Sequence, residues 1–250
     1  MENLKRLGLI SEAVFAIYLG KYLEPPVISF GTWDLARYST SPFFTYLQAN
    51  ISAGLWAFTV SKASFGNLTL QQASSHAIID SSEKKLIVPK SVYDPIRKAI
   101  CDHVTCFGDE HNVGFSCSNL PFDLLPNLTL TLNDMPITIS NAFYIGIRIR
   151  KKSLDKCILQ VDWREEQKAW LLGFPFMRSN YLVFNVESGV MGVAVAKQED
   201  DVPQWVFWAL AVGVLVVLGA LVLVLLLCMG YEHCRLCGTQ PHAAEEPLLH

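Results

Sequence analysis

The chain has 250 residues, of which 51% are hydrophobic, with 20 basic residues against 23 acidic ones. A balance this even leaves no electrostatic footprint for nucleic acid, and the length allows one large or two small domains. Internal repeats, low-complexity tracts, heptads and Gly-rich phosphate loops are absent, so neither a cofactor nor a metal is expected.

In chain order, Met1 to Gly20 reads as an amphipathic helix from about Glu2 to Leu9 followed by a β-rich run. Glu2, Lys5, Arg6 and Glu12 interrupt any apolar stretch long enough for a signal peptide. Strand alternation follows, with Leu55, Ala57 and Thr59 set against Trp56, Phe58 and Val60. One helix interrupts it: Asp94 is placed to cap, Pro95 stands at the first helical position, and Ile96, Ala99 and Ile100 share a face. Leu128, Leu130 and Leu132 then alternate with Thr129 and Thr131 ahead of a turn pair, Asn133-Asp134. Arg148, Arg150, Lys151 and Lys152, interleaved with Ile147 and Ile149, read as the solvent face of a strand running into a loop. The expected fold class is mostly β.

From Val206 to Met229 the chain carries no charge. At about 1.5 Å per residue this reaches roughly 36 Å, enough to cross a hydrocarbon core of about 30 Å. Trp205, Trp208 and Tyr231 flank it as aromatic belts, so 205–231 is expected to be a single transmembrane helix with membrane lipid as its partner. Three sequons precede the span, Asn50-Ile51-Ser52, Asn67-Leu68-Thr69 and Asn127-Leu128-Thr129, together with an even set of cysteines, Cys101, Cys106, Cys117 and Cys157. Both features suit glycosylation and disulfides in an oxidising compartment, which places residues 1–204 in the lumen or outside the cell and 232–250 in the cytosol. Cys228, Cys234 and Cys237 then suit acylation better than the zinc half-site their spacing allows, and Glu245 to Leu249 resembles an acidic dileucine signal of the endosomal system. A secretory or cell-surface protein needs a leader, so the chain is expected to lack its natural N-terminus.

The run Ala77-Ile78-Ile79-Asp80-Ser81-Ser82-Glu83, continuing through Leu86-Ile87-Val88-Pro89, resembles the second active-site segment of the pepsin-like aspartic proteases, peptidase family A1. Trp170-Leu171-Leu172-Gly173 resembles the family's late hydrophobic-hydrophobic-Gly loop. Phe176-Met177-Arg178 and Gly192-Val193-Ala194 resemble its F-[LMI]-R and closing strand segments. Leu4 to Leu19 and Phe30-Gly31 with Asp34 and Tyr38 are similar to the inter-lobe region, and the membrane-anchored β-secretases look nearest. The resemblance implies the second lobe of a bilobal fold: 1–60 the end of the first lobe and the inter-lobe segment, 61–197 the C-terminal lobe, and 198–204 a linker to the membrane helix. It also implies disulfides Cys117–Cys157 and Cys101–Cys106, Asp80 as a catalytic aspartate with Ser81 in support, and Leu171, Leu172 and Gly173 backing the active-site loop.

Catalysis in such a family needs two carboxylates sharing one proton, and nothing in residues 1–60 resembles a first Asp-Thr-Gly segment. A missing first lobe is therefore an expected partner. The segment also departs from the family pattern, since Ser82 adds a Cβ where glycine is usual and Glu83 puts a negative charge where a hydroxyl donor stands. Two functions follow: a membrane-anchored aspartic endopeptidase acting on polypeptides, inactive as a lone lobe, or a non-catalytic pepsin-like peptide-binding protein.

Overall fold

The computed structural model describes residues 1–20, 25–70, 76–117, 125–150 and 153–197, together with Gly219. Met1–Gln198 makes up one unit and Glu199–His250 a second. The expected membrane helix and tail lie outside the described residues, Gly219 excepted, as do the linker 198–204 and Lys151 and Lys152. Among the described residues no helix is long and apolar enough to cross a membrane.

Helix α1 (Glu2–Arg6) is shorter than the sequence suggests and leads into strand β1 (Val14–Tyr18), which hairpins with β2 (Val27–Phe30). Helix α2 (Leu35–Tyr38) starts where Asp34 accepts the Arg37 N–H at 2.9 Å. Strands β3 (Thr45–Gln48), β4 (Ala57–Phe65), β5 (Leu68–Leu70), β6 (His76–Ile79) and β7 (Leu86–Ile87) follow. In β4 a bulge between Val60 and Lys62 moves the buried positions from Phe58 and Val60 to Ala63 and Phe65.

Helix α3 (Lys90–Cys101) begins after Pro89, five residues earlier than expected. Asp94 does not cap it but pairs with Lys90 at 3.3 Å, and Pro95 sits inside the helix. The early start buries Val92 and Tyr93 beside Ile96 and Ile100, which outweighs the hydrogen bond that Pro95 cannot donate.

Next come β8 (Gly114–Ser116), β9 (Leu128–Leu132) and β10 (Met135–Ile139). The last two are joined by Asn133 and Asp134 at φ 46° and 65°, the left-handed pair of a type I′ hairpin turn. Helix α4 (Asn141–Tyr144) precedes β11 (Ile145–Arg150), β12 (Ser153–Leu159), β13 (Val161–Asp162) and β14 (Trp170–Leu172). Helix α5 (Phe174–Ser179) and strands β15 (Asn180–Asn185) and β16 (Val190–Val195) complete the unit.

The strands form three sheets, ordered β2-β1-β15-β16-β3, then β10-β9-β4-β6-β14-β7-β13 with β5 on β4, and β11-β12-β8. Across the first sheet Phe30, Phe15, Phe184, Met191 and Leu47 stand in register on one face. Leu47, Met191 and Phe184 are buried in the main core, Phe15 is half-buried, and Phe30 is 54% exposed. The row Val193, Leu182, Ile17 and Ile28 fades the same way, with Ile28 58% exposed. This face is thus covered at its centre and bare at its β2 edge. On the other face Ala16, Tyr18, Tyr181 and Val183 pack under Leu35, Tyr38 and Phe44.

Candidate active-site turn

Strand β6 carries the chain to Asp80, and β14 fixes where it stops. Trp170, Leu171 and Leu172 run parallel to Ala77, Ile78 and Ile79, while Leu171 also pairs antiparallel with Ile87. A strand from late in the chain is therefore inserted between the two arms of the turn 80–85. The Asp80 N–H donates to the Leu172 carbonyl at 3.3 Å, and the Phe174 N–H donates to the Glu83 carbonyl at 2.9 Å. A Cβ on Gly173 would stand 2.3 Å from the Lys85 carbonyl oxygen and 2.4 Å from that of Glu83. Only glycine permits so close a backbone approach. Leu172 and Gly173 are buried and Leu171 half-buried, so the three form the floor of the turn.

At the tip, Asp80 is half-buried and Ser81 exposed. Ser82 donates twice to one carboxylate oxygen, Asp80 Oδ1, from its N–H at 2.9 Å and its hydroxyl at 2.7 Å. Ser82 takes the position where glycine is usual without a left-handed backbone: among described non-glycine residues only Asn133 and Asp134 have positive φ. The hydroxyl donor lost at position 83 is supplied by position 82 instead.

Glu83 turns its carboxylate to Arg164, in a two-pronged pair with N–O distances of 2.8 and 2.9 Å. That hydrogen bond is the leading cause raising the guanidinium above its ordinary pKa. The extra negative charge beside Asp80 is thereby matched. Deeper in the turn, Lys85 pairs with Asp162 at 3.0 Å and donates to the His111 carbonyl, and His111 Nδ1 meets the other Asp162 oxygen at 2.8 Å. Trp163 stacks on His111, and the Lys90 ammonium lies 4.0 Å from a Trp163 ring centroid. Tyr93 donates its hydroxyl to the Glu110 carbonyl, and its phenol is pushed up to about 12, by burial first and by the Asp162 charge second.

Cysteines Cys101 and Cys106 are bridged with Cα atoms 5.5 Å apart, and Cys117 and Cys157 with Cα atoms 5.2 Å apart. The second bridge ties the end of β8 to β12, where Cys157 stands opposite Phe115.

Sequence reasoning singled out Asp80, Ser81 and the Leu171-Leu172-Gly173 floor, and these meet at one turn. It missed Arg164 and the donor role of Ser82. The usable signal was chemical, because a carboxylate at position 83 calls for a cation, but nothing in the sequence says that the cation lies at position 164.

In this mostly β fold Asp80 thus stands on a turn floored by a hydrophobic-hydrophobic-glycine strand. The chain matches the family described as eukaryotic aspartyl protease over residues 1–196, and it belongs to that family. It is 26% identical over 201 residues to pepsin II-1 of Oryctolagus cuniculus, covering 78% of this chain and 49% of that protein. It is 28% identical over 191 residues to rhizopuspepsin-1 of Rhizopus niveus, covering 75% and 45%. Chymosin of Bos taurus is 21% identical over 196 residues, covering 78% and 48%. The chain thus spans about half the length of the curated relatives it matches.

Proposed function

We propose that this chain is the second lobe of a membrane-anchored aspartic endopeptidase of the β-secretase type, in which Asp80 is one of two catalytic carboxylates. The observation that carries the reading is the Asp80 turn: Ser82 saturates Oδ1 while the carboxylate stands at the exposed tip. A lone carboxylate cannot act as base on water and acid on the leaving amine, because that division of labour arises when two like charges share one proton. A first lobe supplies the second aspartate, and Ser81 offers its exposed hydroxyl to that lobe. The bare apolar edge at Ile28 and Phe30 supports a large partner on the β2 side. The substrate is polypeptide, the anchor is the span 205–231, and residues 1–204 face the lumen or cell exterior, with the tail 232–250 in the cytosol.

The test is acid proteolysis of a denatured protein by the full chain, alone and co-expressed with a pepsin-type first lobe bearing its own aspartate. The chain alone is expected to be inactive, and the pair to cleave in a way abolished by Asp80→Asn. Inactivity of the assembled pair would exclude the endopeptidase. The Ser82 and Glu83 departures favour a second reading, a non-catalytic peptide-binding protein. That reading requires the assembled pair to bind peptides no less tightly than a statine-type transition-state analogue, with affinity indifferent to Asp80→Asn.

A further inference from the structure

The structure treats two classes of asparagine differently. Asn112, Asn133, Asn141 and Asn180 spend Nδ2 as a donor, to Asp109, to the Gln48 carbonyl at 2.6 Å, to the Leu125 carbonyl at 2.8 Å and to the Phe176 carbonyl at 2.9 Å. The sequon asparagines do not. Asn50 accepts at Oδ1 from the Ser52 N–H at 3.1 Å and the Ser52 hydroxyl at 2.7 Å. Asn127 accepts at Oδ1 from the Asn141 N–H at 3.2 Å. A backbone N–H can only donate, so the bonded atom in both amides is the oxygen and the nitrogen is the atom left over. Asn67 stands exposed at the tip of the β4–β5 hairpin, beside Gly66 at φ 58°, and Asn50 and Asn127 are exposed as well. Asn3 and Asn185 also bond only through Oδ1, but Lys5 and Glu187 stand where a sequon needs a hydroxyl.

The three sites are also ordered along one strand. Asn50 exchanges backbone hydrogen bonds with Ala57, at the end of β4 that pairs with Ile78 on the way to Asp80. The Gly66 N–H donates to the Asn127 carbonyl at 3.1 Å, so Asn67 and Asn127 share the far end. Eight residue steps separate Ala57 from Phe65, about 26 Å at about 3.3 Å per residue.

We propose that Asn50, Asn67 and Asn127 are N-glycosylation sites that the fold accommodates by holding each amide through oxygen or not at all, with two carbohydrates at the far end of β4 and one beside the strand that delivers Asp80. In the transfer, Nδ2 forms a bond to sugar C1 as the C1–O bond to the pyrophosphate of a lipid-linked oligosaccharide breaks, and the amide gives up one proton. The inference rests on the lumenal placement of residues 1–204.

The full chain, fused behind a cleavable secretory leader, is made in a eukaryotic secretory host and treated with an amidase that releases N-linked glycans. Three steps of mobility are expected, with Asn50→Gln, Asn67→Gln and Asn127→Gln each removing one. The amidase leaves aspartate, whose carboxylate retains the acceptor, so the folded, treated protein keeps its melting temperature while Asn127→Ala lowers it. Absence of carbohydrate from residues 1–204 overturns the proposal, as does a treated protein that melts as low as Asn127→Ala. A second acceptor placed in the tail by His242→Asn with Ala244→Thr separates the causes. A glycosylated tail with bare sequons means that the lumenal placement has failed too, as does a bare tail with bare sequons in protein whose Cys117 and Cys157 are free thiols, whereas a bare tail with bare sequons and the Cys117–Cys157 bridge formed means that this inference alone has failed.

Discussion

Replacing Arg164 by glutamine removes the one charge that pairs with Glu83 among the described residues, and the cost follows from how unevenly the two sit. The Glu83 side chain is 16% exposed and that of Arg164 53% exposed. An ion pair wholly in water is worth about 0–1 kcal/mol, and stranding a fully buried charge costs about 3–5 kcal/mol. A shielded carboxylate whose cation is half in water falls between, so Arg164→Gln should cost about 1–2 kcal/mol once solvent screening is allowed for. For a unit near 200 residues that lowers the melting temperature by about 3–6 °C. The assay is thermal unfolding of the full chain in detergent for Glu83→Gln, Arg164→Gln and the double variant. The double variant should be less destabilised than the sum of the singles, since it strands no charge, and added salt should shrink the gap. Strictly additive effects, or an Arg164→Gln protein that melts like the parent, would refute the claim that Arg164 holds the Asp80 turn.

Three other perturbations probe the same region. Gly173→Ala drives a methyl against the Glu83 and Lys85 carbonyls, so urea unfolding should show a loss of about 1–3 kcal/mol, whereas a neutral result would mean that the floor of the turn yields freely. Ser82→Ala keeps the N–H bond to Asp80 and loses the hydroxyl bond, at about 1 kcal/mol, and that cost should disappear in an Asp80→Ala background. Tyr93 holds its proton in the folded state up to about 12, above the ordinary 10.0, so its contribution is fully present below pH 10 and is lost as pH rises through about 12. Tyr93→Phe should remove that alkaline loss while costing about 1 kcal/mol at neutral pH for the bond to the Glu110 carbonyl, and a phenolate absorbance titration follows the group directly.

Local chemistry was the readable part of the sequence. Leucines Leu128, Leu130 and Leu132 alternate and are buried, and the Asn133-Asp134 pair takes the turn that its residue types allow. The bulge in β4 was not readable, because Ser61 and Lys62 resemble any exposed pair and the change of phase depends on pairing with Leu132 and Thr131. Helix α3 misled for the opposite reason. Pro95 is a proper start signal, but Val92 and Tyr93 gain more by entering the core than the proline loses by lying inside the helix. Around the turn, the floor residues were legible through their resemblance to a family block. Arg164 was not, since a pair 81 residues apart is set by tertiary structure alone.

The two departures at Ser82 and Glu83 offset each other, and that bears on what Asp80 is able to do. A carboxylate has about four acceptor positions, and the Ser82 N–H and hydroxyl take two of them on Oδ1. Had Glu83 stayed unpaired, an uncompensated charge would have stood three residues from Asp80 with no hydroxyl donor at that position to replace the one lost. Arg164 cancels the charge and Ser82 restores the hydroxyl, so the turn retains an oriented carboxylate by a different set of contacts. Orientation alone does not hydrolyse a peptide. The base that takes a proton from water must be matched by an acid that gives one to the departing amine, and Glu83 and Asp162, the other carboxylates of this network, are both engaged with cations. The chemistry therefore turns on what faces the remaining Asp80 oxygen, which in the proposed reading is the aspartate of a first lobe.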